Sequence, residues 1–191
     1  GMVHESIADR LGVEGWPSRG EEEVISRDLS ILAKTGGHLH VCHLSTQGAV
    51  ELIREAKKLG LNVTAEVTPH HLMLTDEDVL RAGSALKVNP PLRTWQDVEA
   101  TRRGLRDGTI DIVATDHAPH SAVKKALPLA DAAFGLTGLE SALAIVAEVL
   151  IDEAGATDWD RLTQVLAYAP ARIGSLPDRT VSQLRVGDAA S

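Results

Sequence analysis

Residues 109–120 read Thr-Ile-Asp-Ile-Val-Ala-Thr-Asp-His-Ala-Pro-His, an apolar run that stops in a carboxylate and two imidazoles. Ile110, Ile112 and Ala114 alternate along it, so a two-residue period places Asp116 on their face, at the C-terminal end of a strand. In parallel α/β proteins the loops converge at that end and active sites are built there. A lone Asp after a strand usually caps a turn, but a cap does not require two histidines beside it. A second run, His38-Leu39-His40-Val41-Cys42-His43, stops in the same way before Leu44-Ser45-Thr46. Imidazole and carboxylate at two strand ends are donor types of a zinc site, which makes His43 and Asp116 candidate ligands. His38 and His40 share a face, yet they stand at the start of the strand with parity opposite to His43. They are read as helix-facing or exposed, without catalytic duty.

The elements that must position these groups alternate. After Thr46, Ala49, Val50, Ile53 and Ala56 fall at helical intervals up to Gly60, and residues 62–67 form the next strand, so this stretch is a βαβ unit. Thr75-x-x-Asp78 opens a helix as a near capping box, residues 86–88 read as a short strand, and residues 94–105 are helical up to Gly108. Thr137-x-x-Glu140 is a capping box for a helix whose stripe is Leu139, Leu143, Val146 and Leu150. Thr157 begins a last helix ending near Pro170, and residues 21–35 make an amphipathic helix with Val24, Ile25, Leu29 and Leu32 inward. Strand–helix alternation with chemistry on successive strand ends predicts an α/β protein, specifically part of a (β/α)8 TIM-like barrel.

A complete barrel needs about 250 residues and eight strands. This chain of 191 residues offers four strand candidates and is expected to be part of something larger. Its 43% hydrophobic content suits a globular core, and a formal charge of −8 argues against a nucleic-acid surface. One cysteine cannot make an internal disulfide, and there is neither a signal peptide pattern nor an apolar run of membrane length. The expectation is a cytoplasmic enzyme. Residues 1–175 read as barrel, and residues 176–191 switch to a turn-rich pattern around Pro177 and Gly187.

Four ordered motifs carry a resemblance: His40-Val41-Cys42-His43-Leu44-Ser45-Thr46, Thr64-Ala65-Glu66-Val67-Thr68-Pro69-His70-His71-Leu72, Val88-Asn89-Pro90-Pro91-Leu92-Arg93 and Ala114-Thr115-Asp116-His117-Ala118-Pro119-His120. Together they resemble class I bacterial dihydroorotase, of the amidohydrolase superfamily. The resemblance implies a distorted barrel, two zinc ions and reversible cyclisation of N-carbamoyl-L-aspartate to L-dihydroorotate in pyrimidine biosynthesis. It implies His43 as a ligand of the second zinc, and Asp116 as a ligand of the first and the proton carrier. It also implies that Asn89 and His120 hold the substrate and that the backbone of Phe134-Gly135 meets the pyrimidine ring. Arg185-Val186-Gly187-Asp188-Ala189-Ala190 resembles the family's exit from the barrel towards a small β-sandwich.

By the same resemblance, the family's His-x-His pair, its bridging aspartate or carboxylated lysine, a further histidine ligand and the arginine for the substrate carboxylate all precede residue 1. The chain alone is therefore expected to bind zinc weakly, to be inactive and to self-associate. A homo-oligomer is expected, with aspartate carbamoyltransferase a possible partner; neither nucleic acid nor membrane is. His70 and His71 are read as structural or supporting residues, Glu66 as either supporting or salt-bridged, Cys42 as a buried small apolar residue, and Lys124 and Lys125 as a solvated loop. Two rivals stay open: a hydantoinase or allantoinase, and a metal-free scaffold.

Overall fold

The computed structural model describes residues 1–176; residues 177–191, including the Arg185–Ala190 exit motif and almost all of the predicted second substructure, lie outside the described residues. The elements run β1 (Val3–His4), α1 (Glu5–Leu11), β2 (Gly15–Trp16), α2 (Ser18–Thr35), β3 (Leu39–Val41), α3 (Gln47–Lys58), β4 (Val63–Val67), α4 (Asp76–Ala82), α5 (Trp95–Asp107), β5 (Ile112–Val113), α6 (Ala122–Lys125), α7 (Leu139–Val149), α8 (Trp159–Thr163) and α9 (Ala169–Ile173). A two-stranded sheet pairs β1 with β2, and a three-stranded sheet runs β3–β4–β5. Both are parallel, with Val41 opposite Ala65 and Val67 opposite Val113. Parallel strands in sequence order with intervening helices form an arc of a (β/α) barrel.

The sheet buries one face. Ala65, Val67 and Val113 pack with Ile25, Leu29 and Leu32 of α2, with Ala49, Val50, Ile53 and Ala56 of α3, and with Leu105 of α5. The helical spacing of the α3 stripe is thus the spacing that meets the sheet, and the Thr46 hydroxyl fixes the start of α3 by accepting from the amide of Ala49 at 3.0 Å. Thr94 and Asp97 cap α5 reciprocally, as do Thr75 and Asp78 on α4. A smaller cluster of Val3, Ile7, Ala8, Val79, Val88 and Leu92 joins α1 to α4.

Four expectations change. Residues 86–88 form no strand: a 3₁₀ turn ends at Leu86, and Val88 is buried in the smaller cluster with no ladder beside it. In α2, Val24 is half exposed while Ile25, Leu29 and Leu32 are buried. Helix α7 packs through Ala142, Val146 and Val149, leaving Leu139 and Leu143 outside; its sequence is apolar almost all round, so periodicity does not single out one stripe. Its predicted capping box does not form either. The ring of His117 lies 3.2 Å from the amides of both Gly138 and Leu139, and Nδ1 accepts from them in place of a Thr137 cap.

Candidate active site

The ends of β3, β4 and β5 point the same way, and the chemistry lies there. His43 stands two residues beyond β3 and Asp116 three beyond β5. Both break the expected alternation by entering the left-handed region, with φ of 53° and 45°. For residues with a side chain this conformation is uncommon and costs roughly 1 kcal/mol or more, so it persists where the surroundings hold it. The two are not on neighbouring strands, as β4 runs between them and presents Glu66.

Glu66 is the hub. Its Oε1 lies 2.7 Å from His43 Nδ1, a close contact out of line for a hydrogen bond, and its Oε2 accepts from His40 Nε2 at 3.0 Å. With that nitrogen donating, His40 Nδ1 accepts from the Thr64 hydroxyl at 2.8 Å, and Thr64 in turn accepts from His38 Nε2 at 2.9 Å. His38, His40, Thr64 and Glu66 therefore line the sheet face opposite the apolar core, joined in one chain of hydrogen bonds. His38 is exposed, as one of the two alternatives read from the sequence has it, and neither His38 nor His40 faces a helix. The reading of Cys42 as buried is corrected, since it is exposed on that same polar side. Burial and the nearby Glu66 charge push the Cys42 thiol up from its ordinary pKa.

Charge balances within the cluster. The Glu66 carboxylate raises the pKa of His43 against the opposing effect of burial, and the charge of Asp116 adds to the rise. Burial would lift Glu66, but His43 and His40 outweigh it and hold its carboxyl below the usual range. Behind His43 lies His70, 5% exposed, with neither ring nitrogen hydrogen-bonded. Burial, reinforced by His43, lowers its pKa to about 4, so it is neutral near pH 7. His71 beside it has a structural job: Nε2 donates to the Pro90 carbonyl at 3.1 Å, and Nδ1 accepts from Thr68 at 2.8 Å.

A buried network locks the turn after β3. Ser45 donates its amide to Glu21 Oε1 at 2.8 Å and its hydroxyl to Glu21 Oε2. Arg93, 1% exposed, donates Nε to Ser45 at 3.0 Å and Nη1 to the Trp16 carbonyl at 2.7 Å, and reaches Glu21 at 3.4 Å. Burial raises the pKa of Glu21, with Ser45 and Arg93 resisting. Sequence reasoning missed this trio, because its members are far apart in the chain; Arg93 stood within a quoted motif, but Glu21 had no local signal.

The other predicted residues lie on the loops that follow. Asn89 is exposed ahead of Pro90. His120 donates Nε2 to the Phe134 carbonyl at 2.8 Å, tying the loop after Asp116 to Phe134-Gly135. Gly135 has φ of 132°, and a Cβ there would lie 2.6 Å from the Ala118 carbonyl oxygen, so only glycine fits. The solvated reading of Lys125 is wrong: its ammonium donates to the carbonyls of Lys87, Ala133 and Gly135 at 3.0–3.1 Å, and burial, then Lys87, lowers its pKa. The ammonium of Lys87 sits 4.3 Å from the Phe134 ring centre.

No family model matches the chain. A curated dihydroorotase of Leifsonia xyli subsp. xyli is 53% identical over 175 residues, 92% of this chain and 40% of that protein. One of Anaeromyxobacter dehalogenans (strain 2CP-C) is 49% identical over 193 residues, 100% and 44% respectively. The solved L-hydantoinase (dihydropyrimidinase) from Arthrobacter aurescens superposes with a TM-score of 0.76 at 32% identity, over 88% of this chain and 38% of that one. The chain thus spans about two fifths of the length of the curated relatives it matches.

Proposed function

We propose that this chain, a member of the dihydroorotase family by its sequence and an arc of the amidohydrolase barrel by its fold, contributes to a dihydroorotase centre through His43 and Asp116. The carrying observation is that both residues leave their parallel strands at the same end in a left-handed conformation, with Glu66 between them. The higher identity to dihydroorotases than to the hydantoinase favours dihydroorotate over a hydantoin as the ring opened.

The donor set fits a zinc centre in kind. A carboxylate facing His43 Nδ1 favours a proton on that nitrogen, which leaves Nε2 with the lone pair a metal needs. Asp116 supplies the anionic oxygen. Catalytic zinc takes three protein ligands, so two residues make part of a centre, and the rest of the barrel supplies the remainder. When bound, zinc would polarise the attacked carbonyl and lower the pKa of a water. Asp116 accepts the proton of the attacking water as the ring opens and passes it to the departing amide nitrogen; in cyclisation it takes the proton back from the carbamoyl nitrogen. Asn89 offers a donor and an acceptor to the ring edge, and His120 donates Nε2 to the substrate carboxylate in exchange for the Phe134 carbonyl that it meets in the structure. The backbone of Phe134-Gly135 borders the ring, held in place by Lys125 throughout and by His120 until the substrate takes its Nε2.

Among the described residues no helix is long and apolar enough to cross a membrane; a cytoplasmic setting in pyrimidine biosynthesis and a homo-oligomeric assembly belong to the same reading. The test joins the chain to the missing three fifths of the Anaeromyxobacter relative and measures ring opening of L-dihydroorotate and of hydantoin. Zinc-dependent turnover of dihydroorotate, absent from the 191-residue chain alone, is the expected result. Preference for hydantoin, or activity indifferent to zinc, contradicts the proposal.

A further inference from the structure

The polar face of the three-stranded sheet carries a second donor set, of which the proposed function uses only Glu66. His40 and Cys42 lie two apart on β3 and its extension, so they share a face. Glu66 projects beside them from β4, where His40 pairs with Thr64. One ligand atom from each, imidazole nitrogen, Cys42 Sγ and a carboxylate oxygen, lies within 4.8 Å of the other two.

We propose that His40, Cys42 and Glu66 bind a soft divalent cation, at a position separate from the centre at His43 and Asp116. A tetrahedral ion with bonds of about 2.0–2.3 Å holds its donors roughly 3.5 Å apart. His40 Nε2 and Glu66 Oε2 are already 3.0 Å apart, so the adjustment falls on Cys42, whose side chain is exposed and free to rotate. On binding, the thiol releases its proton to solvent, the sulfur–metal bond forms, and His40 gives up its hydrogen bond to Glu66 to offer the nitrogen lone pair after its remaining proton shifts to Nδ1. Thr64 already meets Nδ1 and can turn its hydroxyl to accept that proton. Glu66 uses Oε2 for the ion while Oε1 stays beside His43, so the two positions share one carboxylate.

Ligand type decides the selectivity. A thiolate and an imidazole discriminate for zinc or cadmium and against magnesium or calcium, which take oxygen.

Cys42 is the single cysteine of the sequence, so a thiolate signal has one source. Cadmium titrated into the reduced, metal-free 191-residue chain should produce a thiolate-to-cadmium charge-transfer band that saturates near about one equivalent. Magnesium should produce none. Cys42→Ser should abolish the band, His40→Gln and Glu66→Gln should each weaken binding about tenfold or more, and Asp116→Asn should leave it within about twofold. Cadmium should also protect Cys42 of the unaltered chain from alkylation by iodoacetamide, a readout that needs no variant. Absence of both band and protection overturns the proposal. So does undiminished affinity in His40→Gln and Glu66→Gln, which would mark a bare thiol, and so does loss of the band in Asp116→Asn, which would merge the two positions into one.

Discussion

The two strand ends that carry the proposed ligands are built differently. After β3, His43 is followed by a turn held from beneath by the buried Glu21–Ser45–Arg93 network and by the Thr46 cap on α3. After β5, Asp116 leads into a stretch whose residues are mostly exposed, including His117, His120 and Phe134, and whose ties run from side chains to backbone groups. Both ends hold a side-chain residue in the left-handed region. One does so with a buried charge network, the other with loop contacts. The difference separates two demands on an active site: the end that carries only a ligand is fixed by packing, while the end whose ligand also moves a proton and whose neighbours meet a substrate stays accessible.

Breaking the buried network should have the largest effect. Arg93→Met leaves Glu21 without its cation in a buried site, and the expected loss is about 3–5 kcal/mol in urea unfolding. A loss below about 1 kcal/mol would mean that the turn after β3 is no better fixed than the one after β5.

The same end of the molecule should be acid-sensitive. His70 is buried with a pKa lowered to about 4. In the unfolded chain its pKa returns to about 6.5, so between these values the unfolded state binds the extra proton. Stability should therefore be fully present above about pH 6.5 and fall as pH drops towards about 4, by roughly 3 kcal/mol. His71, also lowered well below its ordinary value by burial, adds in the same direction. Replacing His70 by Leu should flatten that part of the curve; an unchanged slope would exclude His70 as the source.

On the β5 side the expected loss is of activity. In the completed barrel Asp116→Asn should reduce turnover by a factor of about 100 or more, since the proton acceptor and a ligand charge go together. Near-normal turnover would remove Asp116 from the mechanism. The smallest effect belongs to His117→Ala, which takes the acceptor from the start of α7 and should cost about 0.5–2 kcal/mol in thermal unfolding. No change would show that solvent caps that helix equally well.

Much of this was legible in the sequence. The stripe Ala49, Val50, Ile53 and Ala56 is fully buried, and the cap at Thr75 forms as its spacing indicates. Strand ends bearing His43 and Asp116 were visible because an apolar run stopping in ligating residues is a local pattern. Their backbone was not, since alternation assumes an extended chain and both residues leave it. For the same reason parity placed His40 and Cys42 away from the chemistry, although the turn brings His43 round to the carboxylate that His40 also meets. The Glu21–Arg93 pair was hidden by distance along the chain. Lys125 escaped because three carbonyls from two segments distant in sequence, Lys87 and residues 133–135, define its position.

The central claim is that His43 and Asp116 approach one metal centre from two strand ends. Anomalous diffraction at the zinc edge, on crystals of the completed barrel grown with zinc, tests it most directly. The account predicts zinc peaks at bonding distance from a His43 ring nitrogen and from an Asp116 carboxylate oxygen, about 2.0–2.2 Å, within one cluster. Zinc bound with either residue outside that cluster would contradict it.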